Sequence, residues 1–253
     1  QGLSVHVQTA SHDLIYDTGP AFSADANSGE RILLPYLKAS GVRQLDTLVV
    51  THQDNDHAGG AEAVLAGIPV ARVRSSLPPN HPVRLIAGGR DQPCVAGQHW
   101  EWDGVRFAML HPEAPAEGVV PRKTNDIACV LRVEAGAHRL LLTSDIEAVS
   151  EAGLLSRDGA GLASDVLVVP HHGSRTSSTA AFIAATAPRW VIFPVGYRNR
   201  FHHPNPEVWA RWSATGATML RTDEGGAVIV HLGAGEPRLE TARALAPRYW
   251  YGR

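Results

Sequence analysis

His52, Asp54, Asp56 and His57 put four metal-capable side chains into one loop, Thr-His-Gln-Asp-Asn-Asp-His, from Thr51 to His57. The loop follows the apolar run Leu48-Val49-Val50. Four good ligands at the mouth of a buried strand make a poor core and a good metal site. Imidazole with carboxylate suits zinc, manganese or iron(II). Two such sets bridged by a carboxylate make a hydrolytic centre in which ions roughly 3.5–4 Å apart clamp the attacking and leaving oxygens. On a tight loop His52 and Asp54 can share one ion while Asp56 and His57 turn to a second. The plain alternative is an Asp-rich turn in which Asp56 caps a helix starting near Ala58; it accounts for one residue of the set.

Later segments carry compatible chemistry. Leu140-Leu141-Leu142-Thr143-Ser144-Asp145 reads as a strand ending in a carboxylate. Alone such an Asp is more often a helix cap; beside a metal loop it is the candidate to bridge both ions. Asp165 to Val169 reads as a buried strand running into Pro170-His171-His172-Gly173-Ser174. One imidazole there completes a second set, with His171 favoured as ligand and His172 turned to substrate or to the groups around the ligands. Gly173 lets the backbone turn near an ion, and Ser174 can meet substrate or ligand-supporting groups. Asn199-Arg200-Phe201-His202-His203-Pro204 follows another strand. A His there, such as His203, can act as general acid or stabilise charge on a phosphate, or simply be a loop histidine held by Pro204. Arg198 and Arg200 form a cationic spot suited to phosphate, or are merely solvated. Asp17, ending a strand, is expected to orient His52 or His57. Asn125 can face the first ion as a weak ligand.

Strands are expected at 3–7, 14–16, 45–50, 70–74, 127–133, 140–143, 165–169, 190–195 and, last, 227–232, with a hairpin over 100–110 turning at Asp103-Gly104. Helices are expected at 31–39, with Pro35 distorting its first turn, then at 58–65, 149–155, 177–185 and 207–212. Segments 21–30 and 78–82 read as loops. Strands dominate early and strand–helix alternation late. The fold class this predicts is α/β, one domain over 1–253 built as an αββα sandwich of two facing sheets with helices outside. The tail 246–253, with Tyr249, Trp250 and Tyr251, is expected to be an edge toward another domain.

The bulk properties narrow the function. The chain has 253 residues, 44% of them hydrophobic, a net charge of −2 and 13 histidines. Bulk electrostatics therefore exclude a basic nucleic-acid binder, so polyanion binding must come from a local patch or bound cations. No apolar run reaches the roughly 18 residues of a membrane span, so no direct membrane insertion is expected. The opening Gln1-Gly2-Leu3-Ser4-Val5 reads as a strand already under way, and a domain excised from a longer protein is expected. Cys94 and Cys129 are the two cysteines. Two cysteines do not fix a compartment: a disulfide is open to them if the domain is extracytoplasmic, and two buried free thiols are an equal alternative.

Together these residues resemble the metallo-β-lactamase fold superfamily. Asp17-Thr18-Gly19, the metal loop, Asp145 and the late histidines fall in that family's order across nearly the whole chain. The usual loop is His-x-His-x-Asp-His; here Asp54 takes its third position, and Asn125 stands where a further histidine is usual. The set is similar to the C-terminal hydrolase-like domain of ComEC-type DNA-uptake proteins. That domain carries a His-x-Asp-x-Asp-His loop, a Val-Pro-His-His-Gly-Ser turn and an Asn-Arg-x-x-His-Pro loop; Ser144 stands where a Gly often precedes the Asp.

The resemblance implies metal ligands at His52, Asp54, Asp56, His57, Asp145 and His171 and two divalent metal ions, manganese favoured over zinc by the carboxylate-rich first set. It implies a nuclease domain acting on single-stranded DNA, degrading the strand that is not imported. It places the domain at the extracytoplasmic, periplasmic face of the bacterial inner membrane, joined to the rest of a ComEC-type membrane channel. Asp56, His172 and His203 would serve catalysis, with His203 or His172 at the leaving oxygen. Ser174, Arg175, Arg198 and Arg200 would hold phosphates. Two other readings compete: a phosphodiesterase for small substrates such as phosphocholine esters, which an enclosed pocket would favour, and a catalytically idle DNA- or channel-binding domain, which Asn125 favours. Nothing marks a subsite for a β-lactam carboxylate.

Overall fold

A computed structural model describes residues 1–114 and 123–248. The chain divides into two compact units, Gln1–Asp103 with Ala108–Val130, and Gly104–Phe107 with Leu131–Arg253. Tyr249, Trp250 and Tyr251, expected at a domain edge, lie outside the described residues.

The first unit is built on a five-stranded sheet in the order Val5–Gln8, Asp13–Tyr16, Leu45–Val50, Val70–Ser75, Asp91–Pro93. The first pair is antiparallel and the rest are parallel. Leu48, Val49 and Val50 are all fully buried, as a non-alternating apolar run in a central parallel strand requires. Leu37, Ala61, Val64 and Val83 from the helices pack with Ile15, Leu48 and Val73. Each of the valine, leucine and isoleucine side chains contributes on the order of 1.5–3 kcal/mol on burial. Tyr16 pairs with Val49 in parallel register, so Asp17 and Thr51 leave the sheet side by side at its carboxyl edge. Cys94 and Cys129 form a disulfide with Cα atoms 5.9 Å apart.

The second unit repeats this logic. Val130–Ala135 pairs antiparallel with His138–Leu142 around Gly136, whose φ of 63° suits glycine. Val166–Val168, Trp190–Phe193 and Thr218–Arg221 then follow in parallel. Helices Ala148–Asp158, Ala180–Thr186 and Pro206–Ser213 bury Leu154, Phe182, Val208 and Trp212. Thr179 caps the second of these through Phe182 N, and Asn205 the third through Glu207 N. Parallel order delivers Asp145, His171, His172 and the 194–205 loop to one sheet edge, where open α/β sheets place their ligands.

Several elements differ from the sequence expectation. The helix expected over 58–65 is two pieces, Asn55–Ala58 and Ala61–Gly67. Gly59 and Gly60 lie between them because other backbone passes there: a Cβ on Gly59 would sit 2.1 Å from Ala21 N, and one on Gly60 2.6 Å from Gly29 N. The passing segment, expected as loop, holds the short pair Ala21–Ser23 and Ala26–Asn27 and a π-helical turn at Gly29–Leu33. Pro35 falls at the start of Leu34–Ala39, directly after that turn. Helix Pro82–Ala87 was hidden by a proline-rich start and by His81, an uncommon cap, which accepts from Val83 N. Thr218–Arg221 and Arg238–Thr241 are short, half-exposed strands without a strong pattern; the latter pairs with Val228–His231, which is therefore not the last strand. Strand–helix alternation also runs through the first half, whose helices are short. Among the described residues no helix is long and apolar enough to cross a membrane.

Candidate metal centre

In the first unit Asp17 is fully buried at the end of its strand. Its Oδ1 accepts from Thr51 N at 2.8 Å. Its Oδ2 accepts from Thr51 Oγ1 at 2.8 Å and pairs with His57 Nδ1 at 2.8 Å. Thr51 Oγ1 in turn meets His52 Nδ1 at 2.9 Å. One carboxylate thus orients His57 directly and His52 through a hydroxyl. With both Nδ1 atoms engaged, Nε2 is the nitrogen each ring could offer to an ion. The two rings, both buried, lie 4.3 Å apart.

The rest of the loop is pinned by backbone. Thr18 N and Oγ1 both donate to His57 O, and Leu3 N donates to Asp56 O. Asp54 occupies the cap position of the Asn55–Ala58 helix yet makes no side-chain cap bond. Its Oδ1 accepts from Thr124 Oγ1 at 2.9 Å, and the same hydroxyl stands 3.3 Å from Asn125 Oδ1. Asn125 therefore stands beside Asp54. Asp56 lies in the first turn of that helix rather than at its cap.

In the second unit Asp145 is nearly buried and faces both histidines. Its Oδ2 is 3.7 Å from His171 Nε2 and its Oδ1 is 3.5 Å from His172 Nε2. His172 is buried, and its Nδ1 meets Pro194 O at 2.7 Å, which fixes the ring with Nε2 toward Asp145. His171 is more open, and its Nδ1 meets Thr176 Oγ1 at 3.2 Å, with Glu147 Oε1 at 3.4 Å. Ser174 Oγ contacts that same Thr176 hydroxyl at 3.1 Å. Glu151 accepts from Ser178 N and Thr179 N just beyond the turn, and burial raises its pKa.

Arg175, Arg198 and Arg200 are exposed. Arg198 lies over Tyr197 and Arg200 over Phe201. His203 is held by Asn199, which accepts from its backbone N and donates to its O, both at 2.8 Å. Its ring centre is 6.1 Å from that of His171.

The backbone carries strain at these places. Asp17, Ser144, His171, His172 and His202 all have positive φ, from 48° to 59°. Each non-glycine residue held there costs on the order of 1–3 kcal/mol. Gly173 follows with φ of 80°, and a Cβ there would lie 2.9 Å from Pro204 Cβ. Thr51, Thr124 and Thr176 were given no role in the sequence reading, and Asn199 entered it only as the first residue of a motif. Threonine has no ligand signature, although Thr51 and Thr176 lie within or next to the motifs.

A family model described as the metallo-beta-lactamase superfamily matches residues 1–196. The chain belongs to the metallo-beta-lactamase superfamily. Its fold is the mixed α/β sandwich of that family. The metallo-beta-lactamase fold protein YhfI from Bacillus subtilis has the same fold, with a TM-score of 0.52, 11% identity and coverage of 87% of this chain and 88% of that one. Competence protein ComA of Neisseria gonorrhoeae is 39% identical over 99% of this chain and 33% of its own length. Recombination protein 2 of Haemophilus influenzae is 31% identical over 100% of this chain and 30% of its own. The chain spans about a third of the length of these relatives, which are ComEC-type proteins. The superfamily binds divalent metals, often two, and this chain has its metallo-hydrolase fold.

Proposed function

We propose that this metallo-β-lactamase-type domain is a metal-dependent nuclease of a ComEC-type DNA-uptake channel, hydrolysing phosphodiester bonds in the single strand that is not imported. The observation that carries the reading is 39% identity across 99% of the chain to a competence protein, in a chain whose motifs supply metal donors. The family model runs through both units over 1–196, which supports one hydrolase domain across 1–253.

The donor chemistry fits divalent ions. His52 and His57 offer Nε2, and Asp54 and Asp56 offer carboxylates. In the second unit the 3.5 and 3.7 Å separations exceed hydrogen-bond reach. They are near the roughly 3.4 Å expected of two atoms sharing one tetrahedral ion at about 2.1 Å. We assign the ions to His52, Asp54, Asp56, His57, Asp145 and His171. Burial and the Pro194 contact support His172 as an equal donor. Asn125 would be at most a weak ligand. The share of carboxylate favours manganese over zinc.

Bound ions would neutralise charge on the phosphate and activate water. Around them, Asp17 and Thr51 hold the imidazoles in register. His203, clamped by Asn199, is set to give a proton to the leaving oxygen. Arg175, Arg198 and Arg200 would take flanking phosphates. Ser174 supports His171 through Thr176 more directly than it supports a phosphate. The Cys94–Cys129 disulfide supports an oxidising, periplasmic location.

The test is cleavage of labelled single-stranded DNA with manganese, zinc, magnesium or EDTA, beside the double variant Asp56→Ala, His57→Ala. Metal-dependent cutting lost in the variant is expected. Ion binding without cutting of DNA or of bis(p-nitrophenyl) phosphate would overturn the nuclease and favour an idle binding domain.

A further inference from the structure

The loop from Tyr197 to His203 places two large aromatics in solvent: Tyr197 is 69% exposed and Phe201 51%. Each carries a guanidinium over its ring, Arg198 at 5.2 Å and Arg200 at 4.9 Å from the centroids. Among the described residues neither arginine has a carboxylate partner. The loop is also held in shape. Asn199 binds Gly196 O and both backbone groups of His203, and Arg198 is fixed at φ of 50°. Phe201 stacks on His203 with centroids 5.8 Å apart and an interplanar angle of 16°.

An ordered loop that displays two apolar faces beside two unneutralised cations matches a polyanion with exposed flat groups. A folded duplex hides its base faces and an acidic peptide has none. We propose that Tyr197 and Phe201 form a stacking platform for unpaired bases, with Arg198 and Arg200 on the adjoining phosphates. This rests on the nuclease reading and deepens it. Selection for single strands then comes from this loop, and it tolerates any base, because every base has a π-face. A base resting on Phe201 lies one stacked ring from His203, which neighbours His171.

The experiment measures binding in EDTA, so that no cleavage intervenes. Fluorescein-labelled oligothymidine and an abasic oligonucleotide of equal length are compared by anisotropy on the full 253-residue chain. Wild type should prefer the oligothymidine by about fivefold or more, and Tyr197→Ala or Phe201→Ala should weaken it roughly five- to hundredfold while leaving the abasic strand nearly unchanged. Both side chains are exposed, and matching thermal melts would show the fold intact. Equal affinity for the two strands, or alanine variants that bind like wild type, would overturn the platform. Cleavage of bis(p-nitrophenyl) phosphate by wild type separates the two ideas. Hydrolysis without a stacking preference overturns the platform alone, whereas a stacking preference without hydrolysis overturns the nuclease and keeps the platform as a single-strand binding site.

Discussion

Asp17→Asn is a substitution of nearly the same shape that removes the acceptor on which the first donor set depends. The carboxylate receives three bonds at 2.8 Å in full burial: Thr51 N on one oxygen, Thr51 Oγ1 and His57 Nδ1 on the other. An amide has one acceptor oxygen. If its nitrogen takes the Oδ1 place, it meets the Thr51 N–H, which cannot turn away. If it takes the Oδ2 place, it meets His57 Nδ1, and the least costly response is a change of tautomer. The His57 proton then moves to Nε2 and removes the lone pair that would ligate. One buried donor or acceptor left unsatisfied costs about 1–3 kcal/mol of stability. Loss of a ligand-orienting partner lowers metal affinity typically about 10–100-fold. Chelator competition with manganese and zinc, beside urea unfolding in EDTA, reads the two quantities separately. A variant that loses stability but binds ions like wild type would refute the orienting role and leave Asp17 a purely structural acceptor.

Thr51→Val keeps the shape and breaks the link from Asp17 to His52; we expect about 1–2 kcal/mol of lost stability and a smaller loss of ion affinity than Asp17→Asn. Reducing the disulfide, whose partners are 35 residues apart, should lower the unfolding free energy by about 3–4 kcal/mol, read from urea midpoints with and without reductant. Gly173→Ala should destabilise by roughly 2 kcal/mol or more, since it adds a Cβ against Pro204 at positive φ. Glu151 is held above the usual glutamate range by burial, against its hydrogen bonds and Arg211. The native state keeps that proton where the unfolded chain has released it, so unfolding free energy falls as pH rises from the ordinary glutamate value through the folded one. Glu151→Gln should flatten that limb in unfolding titrations run upward from the ordinary glutamate value, and an unchanged slope would refute the assignment.

The positions of the central strands were legible because parallel strands buried on both faces leave unbroken apolar runs, as at Leu45–Val50 and Val166–Val168. The motif loops were legible because each begins where such a run stops. What failed was local and set by distant backbone. Nothing near Gly59-Gly60 announces that the Ala21 and Gly29 backbones cross there. Nor could the sequence show that Pro194 O, a carbonyl from another strand end, holds the His172 ring. Asp17 was readable as a partner for one histidine. Its reach to both passes through Thr51, whose hydroxyl carries no signature of its own.

Left-handed Ser144, His171 and His172, where glycine would sit at ease, make these positions a place where folding and function pull in opposite directions. Glycine at the part-exposed His171 relieves that strain and should raise the melting temperature while removing the candidate donor, whereas at buried His172 the lost packing and the lost Pro194 contact offset the gain. In a library screened only for thermal tolerance, winners at His171 would be those without the imidazole. Random stabilisation of this chain therefore needs an activity or ion-binding filter, and positions where the two screens disagree would outline the working part of the molecule without any ligand in hand.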